Sequence, residues 1–231
     1  MEGFGPKIIF EIAGIPVSET VVVTWIIMVF FAIFSIAVTR NFEKIPKGAQ
    51  NAIEMLVDTI NKFTAQTMGE DKKNFAPYMG SIILFLAVGN LIGLIGLRPP
   101  TADLNTTFAL SILTFILIHS NSIRRKGVGG TVKGLFEPLP FLFPINLLGE
   151  IATPISLGFR LFGNIVGGLV IMSLLYGALG SLSGMIGISN IPIFQAVLPI
   201  LPHAYFDVFS GLLQSFIFVM LSMVYISNAM D

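Results

Sequence analysis

No cysteine occurs among these 231 residues. The chain therefore has no disulfide, no thiolate nucleophile and no cysteine-ligated metal. Charge is scarce: Asp, Glu, Lys and Arg make up 11% of the chain, and 13 cations balance 13 anions. With a net charge of zero, nothing suggests nucleic acid. Only His119 and His203 can supply imidazole, and no His-Glu-x-x-His pattern marks a metalloprotease. Ser156 and Ser210 have no obvious histidine partner for serine-protease chemistry. The glycines between 127 and 134 follow no strand and lack the full phosphate-loop motif, so they imply no nucleotide. There is no internal repeat of the kind that marks secondary transporters, and no low-complexity tract. Apolar residues abound instead, at 54%, with 21 Phe and a mean hydropathy of +0.86. This is the composition of an integral membrane protein, with no cofactor or metal implied.

The apolar runs predict one all-α membrane domain over residues 1–231, with five transmembrane helices and one amphipathic interfacial helix. The first 16 residues carry Glu2, Lys7 and Glu11 without a cleavable-signal pattern, so the first span is expected to stay in the mature protein. Thr20 to Thr39 is an uncharged run of 20 residues, enough for one crossing. Residues 46–68 place Ile53, Leu56, Val57, Ile60 and Phe63 on one side and Glu54, Asp58, Asn61 and Lys62 on the other. Such a helix lies on the membrane or under partner helices. Further spans are expected at 75–97, ended by Arg98-Pro99-Pro100, and at 103–123, closed by Arg124-Arg125-Lys126. The last two apolar segments, about 145–182 and 192–228, are much longer. At about 1.5 Å per residue each exceeds the roughly 30 Å hydrocarbon core, so both must tilt, bend or run outside it. They are expected to form a hairpin of strongly tilted helices, with the Gly- and Ser-rich stretch 180–190 as its turn and Pro154, Pro199 and Pro202 as bend points.

Lys and Arg predict the orientation. With the N-terminus outside and the C-terminus in the cytoplasm, ten of the 13 cations fall inside. Only Lys7 and Arg98 are outside, and Arg160 is within the membrane.

Arg160 stands alone in Ile155-Ser156-Leu157-Gly158-Phe159-Arg160-Leu161-Phe162-Gly163-Asn164-Ile165-Val166-Gly167-Gly168. A cation deep in hydrocarbon costs about 2.5 to 17 kcal/mol, depending on how the cost is measured. Guanidinium does not deprotonate to escape that cost. Arg160 is therefore a candidate functional residue. Helical spacing groups it with Ser156, Gly163, Asn164 and Gly167 in an arc of about 100°, where the glycines allow close helix approach. His203, Asp207, Ser210, Gly211 and Gln214 form a matching stripe on the last segment. Counted from the inner ends of the two segments, Arg160 and Gln214 fall at similar depth. Asp207 lies seven residues outward of Gln214, and Glu150 ten residues inward of Arg160. These offsets are about 10 and 15 Å along a helix. One acid on each side of a central cation suits two half-channels that do not meet, with a carrier on another subunit moving the ion past Arg160. The competing structural expectation is that the stripes only join the hairpin, with Arg160 paired to Asp207 or Glu150.

At these residues the chain resembles subunit a of the bacterial F-type ATP synthase. The matching stretches are Pro100-Thr101-Ala102-Asp103-Leu104-Asn105-Thr106-Thr107, then Pro154 through Ile165, then Leu213-Gln214-Ser215-Phe216 through Tyr225. The middle motif is the most specific, and the resemblance extends from about residue 20 to the end. It implies a non-catalytic stator subunit in the bacterial plasma membrane, beside a rotating ring of c subunits, which carries ions for ATP synthesis and binds no nucleotide. The resemblance further implies that Arg160 faces the ring carboxylates, that Gln214 lies beside it, and that Glu150 belongs to the inner half-channel. It also implies that the first span and the amphipathic helix meet the b subunits of the peripheral stalk. Many relatives carry glutamate nine residues after the arginine. Here that position is Leu169, and Asp207 is the candidate replacement on the outer path.

Asp103, Asn105, His203 and Ser210 are candidates for the outer vestibule, and Asp103 is equally suited to capping its helix. His119 is expected to be a hydrogen-bonded interfacial histidine, and Glu137 a solvated surface acid. The coupling ion, H⁺ or Na⁺, belongs to the ring's binding site and is not legible here. An independent small channel or secondary transporter is the alternative function.

Overall fold

The chain opens with an antiparallel hairpin that the hydropathy pattern alone does not reveal. Strands β1 (Ile8–Ile12) and β2 (Ile15–Ser18) pair around Gly14. Gly14 has φ +81°, a backbone conformation that glycine adopts without a Cβ clash. The hairpin is built from β-branched and aromatic residues. The Glu19 N–H donates to the Lys7 carbonyl at 2.8 Å, which fixes the hairpin to the helix that follows. The computed structural model describes residues 7–12, 14–40, 42–185 and 193–231.

After the hairpin, the regular secondary structure among the described residues is helical. The helices are α1 (Glu19–Thr39), α2 (Ala49–Met68), α3 (Ala76–Leu91), α4 (Leu104–Gly134), α5 (Phe143–Met185), α6 (Ile193–Val197), α7 (Ile200–His203) and α8 (Gly211–Met230). Five helical stretches are long and apolar enough to cross a membrane: Glu19–Thr39, Glu70–Ile95, Leu104–Gly134, Pro140–Met185 and Phe194–Met230. Along α2 the last turn is the buried part, at Thr64, Ala65 and Met68, while Glu54, Asp58 and Lys62 are exposed.

Three boundaries differ from the hydropathy pattern. First, the helix begun at Leu104 does not stop at the basic cluster. It continues past Arg124-Arg125-Lys126 and breaks at Gly127, whose φ of 75° is non-helical, before a second helical piece ends at Gly134. Second, α5 continues through 43 residues, with Pro154 inside it. At about 1.5 Å per residue it is roughly 64 Å long, twice the hydrocarbon thickness. It runs to Met185, so the first residues of the expected turn at 180–190 are helix. Residues 186–192 lie outside the described residues. Third, the final apolar segment is not one uniform helix. Pro199 and Pro202 each lack the N–H a continuous ladder needs. The chain passes through short α6 and α7, then a π-helical stretch, Ala204–Ser210, before α8. A π segment shifts helical phase and commonly marks a functional position. This one contains Asp207.

The core lies between α3, α5 and α8. Met79, Ile82, Leu86, Leu157, Leu161, Phe218, Val219, Met223 and Ile226 are buried together, and Leu110, Leu117 and Ile118 of α4 pack against them. The α4 face toward this core is polar but small: Thr107, Ser111 and Thr114 are buried. Their hydroxyls donate to carbonyls of the preceding turn in the same helix. Small residues set the closest approaches, as expected where lipid supplies no hydrophobic drive between helices. A Cβ on Gly158 would lie 3.1 Å from Ser111 Oγ and 3.2 Å from the Phe108 ring.

Two buried polar links hold the ends of the bundle. At one end the Asn90 amide donates to the Gly211 carbonyl at 2.9 Å and to Ser215 Oγ at 3.0 Å, and accepts from Thr101 Oγ1. At the other end Lys72, only 6% exposed, donates to Ser227 Oγ at 2.9 Å and pairs with Asp231. Ser227 in turn donates to the Met68 carbonyl. The C-terminus of α8 is thereby tied to the junction of α2 and α3.

Gly158→Leu is expected to force α4 and α5 apart and to cost about 1–3 kcal/mol, the usual range for overpacking. The melting temperature of the detergent-solubilised protein should fall. An unchanged melting temperature would show that the contact is not a close one.

Candidate functional site

The lone arginine of α5 is on the outer surface of the chain. The buried stripe of α5 runs Leu157, Gly158, Leu161, Ile165, Gly168 and Met172, a spacing of three and four residues. Arg160 is off that stripe and exposed, on the face that also carries Gly163, Ile171 and Leu174. A Cβ on Gly163 or Gly167 would meet nothing within 4 Å. This small-residue face is thus open rather than packed within the chain. Among the described residues, Arg160 reaches only Ser156 Oγ, at 3.5 Å, and no carboxylate pairs with it.

Helix α5 and the final segment run antiparallel, and their contacts give a register. A Cβ on Gly168 would touch Phe206. Four residues back along α5 and four forward on the other segment, Asn164 meets Ser210. The Ser210 hydroxyl donates to Asn164 Oδ1 at 2.6 Å, and Asn164 Nδ2 approaches the Ser210 carbonyl at 3.4 Å. The next step of the same size brings Arg160 level with Gln214. Gln214 is buried, 7% exposed, and its Nε2 has no hydrogen-bond partner. A buried donor without an acceptor costs about 1–3 kcal/mol. Two donors therefore share a level: the Gln214 amide has no acceptor, and the guanidinium has only Ser156 Oγ, at 3.5 Å.

Glu150 and Asp207 are bonded elsewhere. Glu150 Oε2 lies 3.1 Å from His119 Nε2. Asp207 Oδ2 lies 2.5 Å from His203 Nδ1, and His203 Nε2 lies 3.0 Å from the Tyr176 hydroxyl. The pairing of Arg160 with either acid, one of the two sequence expectations, is not present.

A cavity of about 330 Å³ with both polar and apolar walls adjoins the Asn164–Ser210 contact. Glu19, Asn90, Arg98, Asn164, His203 and Asp207 give it polar walls, and Gly168, Leu169 and Met172 its apolar side. Gly96, Leu97 and Pro99 also line it, so it lies where α3 ends and α1 and α4 begin. Leu169 stands in the wall near Asp207. Glu19 and Asn90 were not among the sequence candidates. Glu19 resembled an ordinary acid in the first turn of a span, and Asn90 a lone amide in an apolar run.

Asp103 and Asn105 are at the same end but do not line this cavity. Asp103 is 7% exposed. Its Oδ1 accepts from the Asn105 N–H at 3.0 Å, capping α4, and its Oδ2 accepts from Thr20 Oγ1 at 2.8 Å. The carboxylate thus joins α1 to α4. The Asn105 side chain is exposed. Among the described residues no cluster of His, Asp and Glu has the makings of a metal site.

Known proteins are similar to this chain along almost its whole length. The family model described as ATP synthase A chain matches residues 21–227. The chain is 37% identical to "ATP synthase subunit a, sodium ion specific" of Propionigenium modestum, over 98% of this chain and 78% of that protein. It is 34% identical to ATP synthase subunit a of Moorella thermoacetica, over 96% and 95% of the two chains. It is also 34% identical to the subunit a of Geobacter sp. (strain M21), over 93% and 88%. With five helices long enough to cross a bilayer and a match over most of its length, this chain belongs to the ATP synthase A chain family, the ion-translocating subunit of that enzyme's membrane sector in bacterial membranes.

Proposed function

We propose that Arg160 is the electrostatic barrier between two half-channels, and that a carboxylate on a partner c-ring carries the ion past it. The observation that carries this is the exposed guanidinium, which has no carboxylate partner in the described chain. Its cost in hydrocarbon is several kcal/mol, and a partner's acid removes that cost. Gln214 lies at the same level, buried behind that face with its Nε2 unpartnered.

The mechanism follows from charge. A ring carboxylate that reaches Arg160 is held ionised, because an opposite charge nearby favours the charged form. It must release its ion before passing and take another up afterwards. Ions cannot travel straight through, because the fixed cation repels them. The outer half-channel is the cavity lined by Asp207, His203 and Asn164, with Ser210 bonded to Asn164 beside it. Asp207 supplies the carboxylate that many relatives carry nine residues after the arginine, where this chain has Leu169. The inner half-channel leads to Glu150. Asp103 acts as a support: its carboxylate bridges α1 and α4 at the outer mouth, beside Asn105.

The subunit is a stator and holds no nucleotide site. Its partners are the c-ring, met by the Arg160 face, and the b subunits of the peripheral stalk. The b subunits meet α1 and α2, which with α3 and α4 enclose an apolar groove of about 730 Å³. Residues 1–231 act as one membrane domain, with the N-terminus outside and the C-terminus in the cytoplasm, so that Lys72 and Lys73 before α3 and Arg124 to Lys126 in α4 face inward. The coupling ion is H⁺ or Na⁺. The Propionigenium relative is described as sodium ion specific. ATP synthesis against Na⁺ concentration at fixed pH separates the two.

Arg160→Ala is expected to abolish ion-driven ATP synthesis while the complex still assembles. Full coupled synthesis by that variant would refute the barrier. Asp207→Asn should slow ion flow from the outer side, and unchanged pumping and passive flow across pH would remove Asp207 from the path. The absence of native cysteine makes a third test direct. A thiol introduced by Leu169→Cys should react with a membrane-impermeant reagent added from the outer face, whereas one at Leu86, which is fully buried, should not. Equal labelling at both positions, or labelling of Leu169→Cys only from the inner face, would contradict the outer half-channel.

A further inference from the structure

The two histidines are bonded in chemically different ways. His203 has one acceptor and one donor for neighbours. Its Nδ1 faces the Asp207 carboxylate and its Nε2 faces the Tyr176 hydroxyl. A neutral imidazole, one N–H and one lone pair, satisfies both. His119 has two acceptors. Its Nδ1 lies 3.0 Å from the Phe115 carbonyl oxygen, and its Nε2 lies 3.1 Å from Glu150 Oε2. A neutral imidazole cannot donate from both nitrogens. The arrangement is complete only with one more proton, either on the imidazole or on the carboxyl. The Phe115 ring centroid lies 4.1 Å from the His119 ring, where the aromatic face favours a cation. The side chains of His119 and Glu150 are 28% and 39% exposed, so neither is sealed inside the chain.

From this we infer that His119 and Glu150 form one proton-holding unit at the inner mouth, in which His119 positions Glu150 and shares its proton. The inference rests on the inner-path role proposed above for Glu150. On uptake, a proton from the inner water enters the pair and the N–H···O bond between α4 and α5 closes. On release the same proton returns to that water. With Nδ1–H kept on the Phe115 carbonyl, a bare Nε2 lone pair then faces a carboxylate. Two acceptors repel, the bond opens, and Glu150 is free to turn. The pair is thus a pH-responsive link across 31 residues of sequence.

Few other charges act on it. On α4 the cations are Arg124, Arg125, Lys126 and Lys133, with Arg125 near Asp71 at 3.7 Å. On α5 the only other charge is Arg160. Helix α8 packs against both and carries one titratable side chain, Tyr225, with Asp231 at its end paired to Lys72. Asp207, in the π segment, is held by His203 at the opposite end. Between α4 and α5, Glu137 lies 4.0 Å from Lys133, and the turn Pro140–Leu142 carries no charge.

The test uses the whole synthase in inverted membrane vesicles, where the inner mouth faces the bath. ATP-driven pumping is recorded while bath pH is varied across the neutral range, for wild type, His119→Leu, Glu150→Gln, the double variant, and the exchange H119E/E150H. Incorporation of each variant into the complex is checked by its copurification with the c-ring. The wild type is expected to show a pH response that His119→Leu, Glu150→Gln and the double variant lose to the same extent. The exchange should regain it. A wild-type pH response in His119→Leu, or single effects that add in the double variant, would overturn the pairing. The two levels fail differently. Normal pumping by Glu150→Gln at every pH would sink the inner-path role beneath it, whereas a response lost in Glu150→Gln but kept in His119→Leu would sink the pairing alone.

Discussion

A guanidinium that cannot lose its proton, set on the exposed face of an apolar helix, is the constraint on which the rest of this molecule depends. Lipid cannot satisfy it at any modest cost, and no carboxylate in the described chain does so. Both nearby acids are held by histidines at some distance, Glu150 by His119 and Asp207 by His203. That separation keeps the cation uncompensated within the subunit. On the reading proposed above, the subunit is incomplete by itself at this level, and a carboxylate on its partner completes it.

The scaffold keeps that face open while packing tightly behind it. Gly158 and Gly168 bring α5 against Phe108 and Phe206, whereas Gly163 and Gly167 leave clear space on the other side. The Asn164–Ser210 contact fixes the register of α5 against the final segment. Asn90 and Lys72 tie the two ends of the bundle through α8. Buried polar groups in a membrane protein are expensive unless bonded. Here they serve as fixed points between which the apolar helices are stacked.

Much of this was legible without coordinates, because hydrocarbon imposes strict rules on composition and length. The five apolar runs, the isolation of Arg160 and the helical phase of its stripe follow from counting. Counting did not reveal the continuation of α4 past its basic cluster to a break at Gly127, because hydropathy falls there while the helix does not. Nor did it reveal the π stretch around Asp207, since a phase shift leaves no mark in composition. The β1–β2 hairpin was hidden because five- and four-residue strands carry a weak signal beside a 20-residue span. The partner of His119 and the place of Glu19 in the cavity wall depend on how separate helices align, which single-chain periodicity does not encode. His119 resembled any interfacial histidine until Glu150, 31 residues away, was placed beside it.

The most direct measurement is an electron cryomicroscopy map of the assembled membrane sector, resolved well enough to show side chains and lipid. The Arg160 guanidinium should face the acidic side chains of the rotor, with Gln214 beside it and water on either side but none bridging across. Lipid acyl density against the guanidinium, or an unbroken chain of water past it from one face of the membrane to the other, would contradict the account.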